Sequence, residues 1–161
     1  MSESLVHRAT AALLRELVEG AAEKEAWILN PGDAGILRSL DGLTAAQAST
    51  PSATGSSVAS HVAHLTYGLG LLNRWAAGES PFAEASYAAS WERTRVDDAE
   101  WARLRGELAA EGRRWLESVA RPRGLDEAEL KGVISSVVHL AYHFGAIRQI
   151  EPRAKGPKAR D

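Results

Sequence analysis

Two pairs of histidines stand at helical spacing in segments that carry little formal charge. His139 and His143 are four residues apart in SSVVHLAYHFGAIRQ, whose only charged residue is Arg148. His61 and His64 are three residues apart in SSVASHVAHLTYGLGLL. Residues three or four apart lie on one face of a helix. Each pair is therefore either a set of core histidines with hydrogen-bond partners or part of a metal site.

A metal site built from these pairs would have a definite chemistry. Three neutral imidazoles suit Zn²⁺, Ni²⁺ or a similar borderline cation. Three protein ligands leave coordination positions open for water or substrate, which is typical of a reactive site. Because the chain has no cysteine, any thiol chemistry needs a thiol from outside. The sequence has no phosphate loop, nucleophile elbow or paired-carboxylate motif, so it leaves the catalytic residues unassigned.

Length and charge narrow the class of protein. The 161 residues suit one domain, and the formal net charge of −2 gives no general attraction to nucleic acid. The N-terminal segment alternates acids and bases and does not resemble a signal peptide. The uncharged stretch from Gly42 to Asn73 is too polar to span a bilayer. These features predict a cytoplasmic protein that binds neither membrane nor nucleic acid.

Hydrophobic periodicity and capping residues predict the elements that position the histidines. Long helices are expected at about 3–25, 56–77, 98–119 and 127–150, and no segment alternates with a period of two. Asp97 with Glu100, and Asp126 with Glu129, are typical of capping boxes. The sequence therefore predicts an all-α antiparallel four-helix bundle over residues 1–150, followed by a disordered basic tail over 151–161.

Two further features concern the surroundings of the bundle. The connection between the second and third helices, residues 79–96, is long and contains Phe82, Tyr87 and Trp91. It is either a lid or a loop that its aromatic residues pin to the bundle. The fourth helix, and similarly the second, has so little charge that it needs cover on nearly all sides, which predicts a homodimer that buries part of the fourth or the second helix.

The two histidine segments also carry a family resemblance. SSVASHVAHLTYGLGLLNRWAAGESPF and HLAYHFGAIRQI resemble the DinB-like superfamily of bacterial four-helix bundles, which includes the DinB/YfiT group, and the resemblance extends over residues 3–150. It implies that His64, His139 and His143 bind a divalent metal, with zinc or nickel expected. His61 could be a further ligand, a partner of a ligating histidine, a proton carrier, or a polar residue satisfied by a backbone carbonyl.

The resemblance also implies a type of reaction. Members of the superfamily include transferases and isomerases that use low-molecular-weight thiols such as bacillithiol or mycothiol. By this resemblance the metal would activate a small thiol or water against a small-molecule substrate, as in a thiol S-transferase or a hydrolase. The alternative is a non-catalytic, dimeric, stress-related bundle that binds metal or ligand.

Several other residues carry more modest expectations. Ligating histidines need a partner on their other ring nitrogen, for which Thr66, Ser135 and Ser136 are candidates. Arg148 either contacts an anionic substrate or complements the dipole at its helix end. His7, near the start of the chain, is expected to be exposed.

Overall fold

The computed structural model describes residues 3–159, and over these residues the chain is all-α, with no strand. Three short 3₁₀ turns lie at Pro81–Glu84, Ala89–Trp91 and Pro152–Ala154. The α-helices are α1 (Glu3–Glu19), α2 (Gly35–Asp41), α3 (Ala45–Ala48), α4 (Val58–Ala76), α5 (Asp98–Ala120) and α6 (Glu127–Ile150).

Helices α4, α5 and α6 begin at capping boxes. The side chain of Ser57 accepts a hydrogen bond from the backbone of Ser60 at the start of α4, and the Ser60 side chain accepts one in return. The two capping boxes predicted from the sequence, at the starts of α5 and α6, are present in the same reciprocal form. These caps satisfy backbone N–H groups that a helix start leaves unpaired. The observed bounds of α4, α5 and α6 agree with the predicted ones to within two residues.

Helix α1 is shorter than predicted, because it ends at Glu19 and not near residue 25. Gly20 has a φ of 115°, and a Cβ at this position would lie 2.5 Å from the carbonyl oxygen of Asp33. Only glycine meets both conditions. The following loop is held by the buried Glu16 carboxylate, which accepts backbone N–H bonds from residues 27–29 at 2.6 to 3.1 Å.

The core lies between the four long helices. Helix α5 packs against α4 and α1, and α6 packs against the same two helices. Both tryptophans of α5 are buried with their N–H groups satisfied: Trp101 donates to the carbonyl of Leu43 and Trp115 to the Ser136 hydroxyl, each at 2.8 Å. Ser136 is therefore part of the core and not a partner of a ligating histidine.

Helix α6 has a buried face and an apolar exposed face. Val133, Val137 and Phe144 are buried, whereas Ile134, one residue after Val133, is exposed. Val138 and Tyr142 are 62% and 70% exposed. By length and composition α6 could pass for a membrane-spanning helix, but core helices pass the same test, so this one helix is weak evidence.

The segment after α6 differs from the disordered tail expected for residues 151–161. As far as the structure describes it, to residue 159, this segment is packed: Ala154 is 1% exposed and Asn30 donates a side-chain hydrogen bond to the Pro157 carbonyl at 2.7 Å. Arg148 supplies the main anchor, because its guanidinium bonds both the Ala154 carbonyl, at 3.0 Å, and the Asp33 carboxylate, at 2.7 Å. Contacts distant in sequence thus order a segment that looks unstructured locally.

A comparison of Gly132 with Gly145 tests how closely Trp75 packs on α6. A Cβ at Gly132 would lie 2.5 Å from the ring of Trp75, whereas a Cβ at Gly145, on the same helix, would meet nothing within 4 Å. We expect Gly132→Ala to destabilise the protein by about 1–3 kcal/mol through overpacking. Gly145→Ala is expected to stabilise it by up to about 1 kcal/mol through helix propensity. Urea unfolding of both variants measures the difference, and equal midpoints would contradict the close packing of Trp75 on α6.

Candidate metal centre

Helices α4 and α6 bring three histidines to one point. His64, His139 and His143 each offer a ring nitrogen, and these atoms all lie within 4.8 Å of one another. The Nε2 atom of His139 lies 3.2 Å from Nε2 of His64 and 2.9 Å from Nε2 of His143. His64 and His143 are buried, and His139 is exposed on one side. The three residues that the sequence analysis selects are therefore neighbours in space and could hold a metal ion.

Two of the three nitrogen separations match those expected around one divalent cation, and the third is no more than 4.8 Å. Metal–nitrogen bonds of about 2.0–2.1 Å separate two ligand nitrogens by about 2.9 Å at a right angle and about 3.3 Å at the tetrahedral angle. The observed separations of 2.9 and 3.2 Å lie at and between these values. The donor set is nitrogen only, which suits zinc or nickel better than magnesium or calcium.

His61 contacts Nδ1 of His143, whereas Nε2 of His143 faces His139. The Nδ1 atoms of the two rings lie 2.9 Å apart. If Nε2 of His143 binds a metal, its Nδ1 carries the proton and donates to His61. This arrangement would fix the orientation of a ligating imidazole, as partners of metal-bound histidines do. The ring of His61 thus bonds another imidazole and not the backbone carbonyl that the sequence analysis also considers.

His64 has its own partner, which comes from the connection between α4 and α5. Its Nδ1 atom lies 2.8 Å from the Ser90 hydroxyl, which in turn donates to the Tyr87 carbonyl at 2.6 Å. Because that hydroxyl hydrogen is used, the Ser90 oxygen accepts a hydrogen bond from the protonated Nδ1 of His64, which leaves Nε2 of His64 free to bind a metal. Thr66 and Ser135, the partners considered from the sequence, bond backbone carbonyls of their own helices instead.

Trp91 covers the histidines from the same connection. Its ring stacks on His64 with centroids 4.4 Å apart and an angle of 21°, and it lies edge-on to His61 at 5.0 Å. It also approaches the His143 ring at 5.4 Å. The aromatic connection over residues 79–96 therefore reaches the site itself. Sequence reasoning missed Ser90 entirely, since only the folded connection brings it to His64.

Burial keeps the cluster neutral. Desolvation, followed by repulsion from the neighbouring histidines, lowers the pKa of His64 to about 4 and that of His143 to about 3. Desolvation also lowers the pKa of His61 and His139. Imidazoles bind metals only in the neutral form. The site is therefore ready to accept a cation at neutral pH without first losing protons.

These shifts make the stability of the metal-free protein depend on pH. In the unfolded chain each histidine binds a proton near pH 6.5, whereas the folded chain binds one near pH 4 at His64 and near pH 3 at His143. Below pH 6.5 the unfolded state binds more protons, so the free energy of unfolding falls as the pH falls. We expect urea midpoints of metal-free protein to decrease from pH 7 to pH 5. A His64→Gln, His143→Gln double variant should show a flatter profile; an unchanged slope would contradict the neutral cluster.

An apolar chamber opens beside the histidines. Its volume is about 550 Å³, and it lies between α4, α6 and the connection that carries Phe82 and Tyr87. His139 lines the chamber, whereas His64 and His143 do not. A metal held by the three histidines would therefore have His139 as the ligand nearest to a cavity of ligand-binding size.

His7 and Arg148, which also carry expectations from the sequence, have partners other than the three histidines. His7 is buried and its Nε2 accepts a hydrogen bond from the backbone of Arg123 at 3.4 Å, so the expectation that it is exposed is wrong. Arg148 pairs with Asp33 in the interior and not with a substrate at the site. Tyr142 packs edge-on against His143 at 5.0 Å while most of its side chain is exposed.

Comparison of the chain with protein-family models, with curated proteins and with solved structures gives no match. The site must therefore be interpreted from its own geometry.

Proposed function

We propose that this protein is a DinB-like, divalent-metal-binding protein that activates a small thiol or water at a three-histidine site, as a thiol S-transferase or a hydrolase. The observation that carries the proposal is the convergence of three neutral imidazoles, each from a long helix, beside an open cavity. We also propose that α1, α4, α5 and α6 form an antiparallel four-helix bundle, since each of them packs against two of the others.

The composition of the site supports an activated nucleophile. The group that could hold a metal contains histidines alone, so three ligands would leave positions for an exogenous molecule. A bound divalent metal lowers the pKa of a coordinated thiol or water. His61 and Ser90 would hold two of the ligands in place, and Trp91 would shield the rings of His64 and His143 from water. The chamber beside His139 would hold the electrophile.

Cobalt substitution tests the proposal. We expect Co²⁺-loaded protein to change its visible absorption when a small thiol such as mercaptoethanol is added, with a new sulfur-to-cobalt charge-transfer band. His139→Ala should show neither the cobalt spectrum nor the thiol response. Cobalt binding without any thiol response, together with no hydrolytic activity, would favour the non-catalytic metal-binding bundle instead.

We propose in addition that a second copy of the chain covers the exposed face of α6. Ile134, Val138 and Tyr142 recur at four-residue spacing on this face, and all three are exposed. Large apolar side chains in one row are typical of an interface between protein molecules. We expect Val138→Glu to shift the protein from dimer to monomer in sedimentation velocity, while Leu5→Glu, at an exposed apolar residue of α1, leaves the mass unchanged. A monomeric wild-type protein would contradict the dimer.

A further inference from the structure

The walls of the apolar chamber carry no formal charge. Leu65, Leu69 and Leu72 line it from α4, and Leu140 lines it from α6. None of the described residues that line it is Asp, Glu, Lys or Arg. A charged molecule that entered would lose its hydration without gaining an ion pair, at a cost of several kcal/mol. The chamber therefore discriminates against charged ligands.

Three aromatic residues line part of the chamber. Trp75 contacts Phe82 edge-to-face, with ring centroids 5.7 Å apart, and Tyr87 completes the wall. Phe82 and Tyr87 are 41% and 48% exposed, although both belong to a segment that packs on α4. Rings held half-exposed around a cavity give a surface on which a flat hydrocarbon can stack.

Two glycines keep the chamber open. The missing side chain of Gly132 gives Trp75 its place in the wall, since a Cβ there would overlap the ring. Gly68 faces His139, and a Cβ would lie 3.9 Å from the Cε1 atom of that imidazole. Any side chain longer than alanine at Gly68 would project into the space between the chamber and the histidine. Gly68 thus leaves space between the cavity and His139, while Gly132 accommodates the ring of Trp75 in the wall.

Few polar groups remain for a ligand. The hydroxyl of Ser136 is already bonded to Trp115 and to the Val133 carbonyl. Ser135 bonds the Gly132 carbonyl, and its hydroxyl oxygen can still accept. The lining residues Tyr87 and Trp75 also carry a hydroxyl and an indole N–H. His139 is the polar residue of the wall that belongs to the histidine group.

We propose that the apolar chamber binds an uncharged, largely apolar molecule with a flat hydrocarbon body, and that the polar end of this molecule lies toward His139. The binding of the hydrocarbon body depends only on the chamber. The identification of that molecule as the substrate of the histidine site rests on the proposed function.

The test uses a neutral naphthalene dye, 6-propionyl-2-dimethylaminonaphthalene, with wild-type protein in metal-free and cobalt-loaded form. We expect a blue-shifted emission on binding, and displacement by 2-naphthalenemethanol. We expect 2-naphthoate, of the same shape but charged, to displace the dye from metal-free protein at least about tenfold more weakly, because without a bound cation its carboxylate finds no partner in the wall. Ser135 is exposed and lines the chamber. We expect Ser135→Phe to lower the affinity for the dye by about tenfold, because the new ring fills part of the cavity. Gln149→Phe, exposed on the same helix but outside the chamber, should bind as wild type.

Equal displacement by the alcohol and the carboxylate in metal-free protein, or unchanged dye binding in Ser135→Phe, would overturn the inference. Metal content is measured in the same samples, so that the two proposals fail separately. Dye binding in protein that takes up no cobalt would support the inference about the chamber and contradict the proposed function. A shift of the cobalt absorption bands on adding 2-naphthalenemethanol would link the chamber to the metal centre.

Discussion

Arg148→Ala is expected to lower the free energy of unfolding by about 3–5 kcal/mol, because it leaves the carboxylate of Asp33 buried without its partner. The side chain of Asp33 is 1% exposed, and Arg148 Nη2 lies 2.7 Å from its Oδ1 atom. A Cβ at Gly156 would overlap the same carboxylate, so the tail closes over the ion pair. The variant should also free this segment, whose Ala154 carbonyl loses the guanidinium as donor.

Urea unfolding measures this loss, and proteolysis near residue 155 reports the release of the tail. Lys131→Ala is the matched control, because Lys131 and Glu127 form an exposed ion pair on the same helix. We expect that control to change the unfolding free energy by about 0–1 kcal/mol. A loss of the same small size for Arg148→Ala would contradict the buried ion pair as the anchor of the tail.

The second large effect concerns stabilisation by metal. Zinc at 100 times its dissociation constant should raise the free energy of unfolding of wild-type protein by about 2.7 kcal/mol. His139→Ala should lose this response, because two histidines remain where three are needed. His139 is exposed on one side, so the variant should keep the unfolding midpoint of metal-free wild type. Thermal melts with and without zinc measure both quantities.

His61→Ala is the informative comparison for that experiment. His61 touches His143 through Nδ1 and is outside the group of three that could hold the ion. Loss of such a partner weakens metal binding by about 10–100-fold without abolishing it. We therefore expect the zinc response of His61→Ala to return at higher zinc concentration. A response as completely absent as in His139→Ala would make His61 a ligand and contradict its role as a partner.

Local signals in the sequence account well for where most helices begin and end. Capping boxes at Asp97 and Asp126 mark the starts of α5 and α6, since capping involves residues only three apart. The end of α1 at Gly20 is different, because it depends on the approach of Asp33 from the other side of a loop. Contacts of that kind leave no local pattern in the sequence. The packing of the tail after α6 also depends on residues that are distant in sequence.

The candidate site likewise combines residues that the sequence predicts with residues that only the fold brings together. Helical spacing and the family resemblance single out His64, His139 and His143, whose side chains the structure brings together. Ser90 and Trp91 could not be assigned in this way, because they reach His64 only through the fold of the connection. The burial of His7 was missed for a related reason, since its partner Arg123 is distant in sequence.

Metal content is the most direct measure of the central claim. Untagged wild-type protein and His139→Ala should be purified side by side, incubated with zinc or nickel, desalted and analysed by inductively coupled plasma mass spectrometry. We expect about one equivalent of metal per chain in the wild type, since three imidazoles define a single site, and almost none in the variant. Equal metal content in the two proteins, or none in either, would contradict a three-histidine metal centre.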